Sequence, residues 1–114
     1  MLVLAIDTAL DACAAALLDT QQGVLASESL PMARGHAEAL MPMVARVMED
    51  AQRTFGELDR IAVTTGPGSF TGLRVGISAA RGVALASGKP AFGITTLAAF
   101  AAPLVAEDDT TSLK

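Results

Sequence analysis

Ile61-Ala-Val-Thr-Thr65 runs straight into Gly66-Pro-Gly-Ser-Phe-Thr-Gly-Leu-Arg74, and an Ala/Gly-rich apolar segment follows to about Ser87. A short β-branched run, a glycine loop and a long apolar segment read as strand, tight connection and helix. Gly66 and Gly68 accept backbone angles that other residues resist, and Pro67 stiffens the turn between them. Ser69 or Thr71 is placed to cap the helix by accepting an otherwise orphan backbone N–H. Free N–H groups at the positive end of a helix suit an anion, so Gly66, Gly68, Ser69 and Thr71 form a candidate anion site.

The nucleotide-binding motifs nearly fit this loop. A Walker A loop needs Gly-Lys-Ser or Gly-Lys-Thr, and the chain has neither. A dinucleotide fingerprint is spaced Gly-x-Gly-x-x-Gly, and Gly66, Gly68 and Gly72 are one residue too far apart. Phosphate binding and a plain strand-to-helix connection both remain open here. The helix itself carries small residues at every fourth position, Gly72, Gly76, Ala80 and Ala84, along one side. Glycine costs roughly 1 kcal/mol per helical position against alanine, so Gly72, Gly76 and Gly82 signal the close approach of another backbone. That backbone belongs either to the chain's own sheet or to a partner.

Upstream, Leu2–Ile6 is an apolar run ending at Asp7-Thr8, and Ala12–Leu18 and Gly23–Leu30 are two more, separated by turn residues. They predict an antiparallel three-strand meander. Asp7 and Thr8 fall in its first turn, where an aspartate accepts bonds from its own backbone. The functional alternative is a carboxylate and hydroxyl aimed at a metal-bound phosphate. From His36 to about Arg53, Leu40, Val44, Val47, Met48 and Ala51 recur at helical spacing, with Pro42 inside predicting a kink or a bonding defect one turn before it. Met41, Met43 and Met48 supply soft surface that suits an interface or a core equally. Ala91–Thr95 reads as a fifth strand and Thr96 to about Ala102 as a short helix, and the polar residues 105–114 are expected to be disordered.

The 114 residues fit one domain, with 52% apolar residues, 4% aromatic and a net charge of −4. An acidic chain without a basic patch is unsuited to gripping nucleic acid by itself, so any role on RNA would have to run through a basic partner. Cys13 is the only cysteine, which excludes an internal disulfide and fits a reducing, cytoplasmic setting. His36 is the only histidine, so neither a zinc protease motif nor a metal site is expected, and no apolar run reaches membrane-span length.

The resulting order, βββαβαβα with a mixed five-stranded sheet, is an α/β lobe like those of the actin/sugar-kinase/heat-shock ATPase superfamily. Ala-Ile-Asp-Thr at 5–8, Arg34-Gly-His-Ala37 before a helix with an internal Leu-Met-Pro, and GPGSFTGLR at 66–74 followed by Val-Gly-Ile resemble the bacterial TsaB (YeaZ) family. The resemblance runs from Met1 to about Ala102 and covers residues 1–104 as one N-terminal lobe, the family's second lobe being absent.

It implies a non-catalytic subunit of the machinery that forms threonylcarbamoyladenosine at position 37 of tRNA. Its implied partners are the catalytic paralogue TsaD, the ATPase TsaE and, alone, a second copy of itself. ATP would be bound by those partners, leaving this lobe without a cofactor. Pairing would use the helices at about 36–53 and 70–87. The candidate contacts are His36, Leu40, Met41, Met43, Val44, Met48, Gly72, Gly76, Ala80 and Ala84. On this reading a Gly76→Leu substitution abolishes partner binding and leaves the fold largely intact. Ala9 stands where the family usually has serine, which removes a hydroxyl from the first turn and weakens a nucleotide role. The competing reading is a nucleotide-dependent phosphotransferase or ATPase-like lobe using Asp7, Thr8 and the glycine loop.

Overall fold

A computed structural model of the chain describes residues 1–9, 12–31, 35–67, 70–95 and 110–112, with backbone alone at 12, 36, 70 and 110–112. The elements in chain order are β1 (Leu2–Asp7), β2 (Ala12–Asp19), β3 (Gly23–Pro31), α1 (His36–Asp50), a single 3₁₀ turn (Phe55–Glu57), β4 (Arg60–Thr64), α2 (Phe70–Ser87), β5 (Ala91–Ile94) and β6 (Thr110–Ser112). They form one sheet in the order β3-β2-β1-β4-β5-β6.

The meander is antiparallel, with Leu4 opposite Leu17 and Cys13 opposite Leu30. β4 and β5 then add in parallel, with Leu4 beside Ile61 and Val63 beside Gly93. β1 is therefore central, and its alternation sends Leu2, Leu4 and Ile6 into the core against Leu17, Ile61 and Val63. α1 covers β2, and α2 covers β4 beside it. Leu40, Met43, Val44 and Val47 from α1 and Ala80 and Val83 from α2 close that layer.

Two departures from the sequence reading have physical reasons. The sheet has six strands, because residues 110–112 of the expected disordered tail pair antiparallel with β5 from Phe92 to Ile94. An edge strand such as β5 offers a row of unpaired N–H and C=O groups, and Thr-Thr-Ser is compatible with extended pairing. The short helix expected at 96–102 lies outside the described residues.

α1 stops at Asp50, short of Arg53. Gln52 there takes a left-handed φ of 56°. The Gln52 N–H donates to Glu49 O and the Arg53 N–H to Met48 O, the paired bonds that end a helix when a glycine follows it. Glutamine gives no such signal in sequence, whereas Gly88 does. At α2's end Gly88 has φ 71°, and the Lys89 N–H bonds back to Ala84 O at 3.1 Å. Pro42 lies inside α1, which continues without interruption to Asp50. Proline brings no N–H to the carbonyl of Glu38, and Glu38 is exposed, where water can serve instead.

The connection from α1 to β4 is pinned by side chains. Glu57 accepts the Thr54 N–H at 2.9 Å and pairs with Arg53 at 3.3 Å. The Asp59 carboxylate accepts the Leu2 N–H at 2.8 Å, tying β4 to the start of β1. The Thr54 N–H, then Arg53, hold the Glu57 carboxyl below its ordinary value of 4.5. A carboxyl depressed on folding stabilises the fold above its unfolded value, and that contribution is lost as pH falls through the folded value. Glu57→Gln is therefore expected to lower the melting temperature near neutrality and to flatten its decline below pH 4.5, which thermal denaturation across pH measures.

Candidate functional site

Two places bring the sequence-selected residues together. The first is the turn after β1. The Ala9 N–H donates to Asp7 Oδ1 at 3.0 Å, so the aspartate builds the turn as its residue type suggests. The same oxygen accepts the Thr64 hydroxyl at 2.9 Å, which locks the ends of the parallel neighbours β1 and β4 together. Thr8 is fully buried, and its hydroxyl donates to the Gly72 carbonyl of α2.

A Cβ built on Gly76 would stand 2.3 Å from Thr8 Oγ1 and 3.3 Å from Val63 Cγ2. Gly76 thus leaves a notch in α2 that the Thr8 side chain fills, with its hydroxyl on the Gly72 carbonyl one turn earlier. Thr8 is engaged with the chain itself and does not face a ligand. Gly66 follows β4 with φ 123°, while Gly68 and Ser69 lie outside the described residues. Thr71 lies within α2 and turns to a different surface, described below. The candidate anion set is therefore divided, with Asp7 as its half-exposed carboxylate.

The notch also corrects the reading of the small-residue stripe. What approaches Gly76 is the chain's own Thr8 and Val63 side chains, and a leucine there would collide with them before it met any partner. Leu40, Met43, Val44, Met48 and Ala80 are buried in the chain's core, and Ala84 is packed against it. Among the candidate contacts whose side chains are described, Met41 is the large one that faces outward, 42% exposed. The His36 side chain is outside the description.

The second place is an open groove of about 520 Å³ between α1 and α2. It is lined by Ala37, Leu40 and Met41 on one wall and by Thr71, Arg74, Val75, Ser78 and Ala79 on the other. Leu40 and Met41 are candidate contacts from the sequence and Thr71 a candidate anion-site residue, whereas Ala37, Arg74, Val75, Ser78 and Ala79 were not singled out as site residues. Helical arithmetic locates them once the buried row is known: Thr71, Val75 and Ala79 sit one position before Gly72, Gly76 and Ala80, rotated by a quarter-turn toward α1. Gly82 lies one turn beyond Ser78, is exposed, and a Cβ there would meet nothing within 4 Å. Unlike Gly76, it meets no neighbour among the described residues that would require glycine. Cys13 is buried, and burial raises its thiol pKa, the opposite of what a nucleophile needs. Among the described residues no three His, Cys, Asp or Glu side chains gather as metal ligands.

The family model described as TsaD, tRNA N6-adenosine threonylcarbamoyltransferase, matches residues 5–112. The chain belongs to the TsaD family. Within it the chain is similar to the TsaB/YeaZ proteins. It is 37% identical over 97 residues to the tRNA threonylcarbamoyladenosine biosynthesis protein TsaB of Escherichia coli, a match covering 85% of this chain and 41% of that protein. It is also 37% identical over 111 residues to the tRNA N6-adenosine threonylcarbamoyltransferase of Erythrobacter litoralis, covering 84% of this chain and 32% of that one.

In three dimensions it superposes with a TM-score of 0.82 and 34% identity on a Pseudomonas aeruginosa protein described as similar to peptidase YeaZ, over 94% of this chain and 49% of that one. YeaZ from Pseudomonas aeruginosa gives a TM-score of 0.80 at 30% identity, over 99% of this chain and 61% of that one. The chain thus spans between about a third and three-fifths of the length of these relatives. Among the described residues no helix is long and apolar enough to cross a membrane.

Proposed function

We propose that this chain is a TsaB-type accessory subunit in threonylcarbamoyladenosine formation on tRNA, docking the catalytic TsaD-type transferase in the groove between α1 and α2. The observation that carries this reading is the groove itself: once the core is closed, an apolar channel floored by Leu40, Val75 and Ala79 remains open along both helices. Gly82 extends it with room for a neighbouring helix. The chemistry at the other site supports an accessory role, since the buried Thr8 hydroxyl is engaged by α2 and Asp7 by its own turn.

The charge pattern supports a protein partner. Every acidic residue lies before Arg60 or after Ala106, so α2 and its flanks carry Arg74, Arg81 and Lys89 with no carboxylate among them. A partner surface bearing carboxylates opposite α2 is complementary to that pattern and would speed association. The same groove would serve self-pairing when the transferase is absent. TsaE would join the larger assembly, ATP would be handled by the partners, tRNA would be met through them, and the site of work would be the cytoplasm.

Co-elution of the chain with the TsaD-type transferase of the same cell tests the proposal. A Ser78→Lys variant, which places a charge on the exposed groove wall, is expected to weaken that pairing about tenfold with the melting temperature unchanged. Unchanged affinity in Ser78→Lys, or no complex with the unaltered chain, would overturn it.

A further inference from the structure

α1 holds three methionines in sharply different settings. Met43 and Met48 are 0% and 3% exposed inside the core, whereas Met41 is 42% exposed on the groove wall. A thioether is oxidised according to its access to the oxidant. We propose that Met41 is a modification site for peroxides, and that its conversion to the sulfoxide closes the groove to the transferase; the inference rests on the docking role given above.

In that step a lone pair on Met41 Sδ attacks one peroxide oxygen and the O–O bond breaks. The sulfur gives up two electrons and keeps the oxygen, and hydrogen peroxide leaves as water. The product is a strong hydrogen-bond acceptor on a floor made by Leu40, Val75 and Ala79. Docking a helix over it would bury that oxygen without a donor, which is costly. The donors within the groove are the Thr71 and Ser78 hydroxyls and Arg74 on the opposite wall. A sulfoxide that bonds across to them fills the channel, so either arrangement opposes docking. Because Met43 and Met48 are enclosed, oxidation at Met41 leaves the core intact, and a sulfoxide reductase can reverse it.

The test treats the chain with hydrogen peroxide, maps oxidation by peptide mass, and measures affinity for the TsaD-type transferase before and after. Met41 is expected to oxidise well before Met43 and Met48, with thermal unfolding unchanged and affinity lowered about tenfold. Methionine sulfoxide reductase restores affinity, and peroxide causes no further loss of affinity in a Met41→Leu variant, measured against that variant's own untreated affinity. Equal oxidation of the three sites overturns the inference, as does undiminished affinity with Met41 fully oxidised, or an equal loss in Met41→Leu. If the untreated chain does not bind the transferase, the docking role fails and the switch falls with it. If both forms bind equally, only the switch fails.

Discussion

Gly76→Ala is expected to destabilise the chain by about 3 kcal/mol, the cost of overpacking added to the loss of a buried hydrogen bond. The added methyl would stand 2.3 Å from Thr8 Oγ1, so the threonine must leave the notch and give up its bond to the Gly72 carbonyl. Val63, at 3.3 Å on the other side, leaves the helix little room to retreat. Urea denaturation of the single variant measures the loss. The mechanism is tested by repeating the substitution in a Thr8→Ala background. With the side chain gone, alanine at position 76 meets Val63 alone, and its better helix propensity is worth up to about 1 kcal/mol. The second substitution should then cost little or stabilise, a strong departure from additivity. Additive losses in the double variant would show that the notch is not what makes glycine necessary.

Gly82→Leu is expected to behave in the opposite way. Position 82 has open space around a built Cβ, so leucine strains nothing within the chain and favours the helix. Melting of the isolated chain should stay the same or rise. Association is where the cost falls, because a leucine side chain would hold a docked helix away from α2 where the two backbones come closest. The expected loss is about a hundredfold in affinity for the TsaD-type transferase, by the arithmetic of a few kcal/mol at a packed interface centre. A Gly82→Leu chain that still pairs normally would mean that the partner lies elsewhere. Two glycines on one helix thus separate two questions: Gly76 reports on the fold, and Gly82 on recognition.

The sequence was informative wherever the chemistry is local. Leu2–Ile6, Ala12–Leu18 and the run before Gly66 announce strands through their apolar content, and Asp7 and Gly88 announce their turns through their own backbone bonds. It was silent where the decisive contact joins distant segments. Nothing around Gly76 says that Thr8 fills its notch, so the small-residue stripe could point to a partner as readily as to β1. The left-handed Gln52 and the pairing of residues 110–112 were equally hidden, since each depends on a neighbour that the local pattern does not encode. The groove suffered most, because its walls are residues next to the buried row, and one position of helical phase separates core from surface.

The central place of β1 also sets the order in which the molecule can be assembled. Its edge toward β2 is satisfied as soon as the first hairpin has been made, but its edge toward β4 waits until residues 60–64 leave the ribosome. In that interval the nascent chain displays an apolar strand with one bare hydrogen-bonding side, a template for mispairing with any other extended chain. Synthesis through α1 prolongs the exposure. The interval between the third strand and the fourth is therefore when this protein is most vulnerable to aggregation, and when a chaperone would do most for its yield.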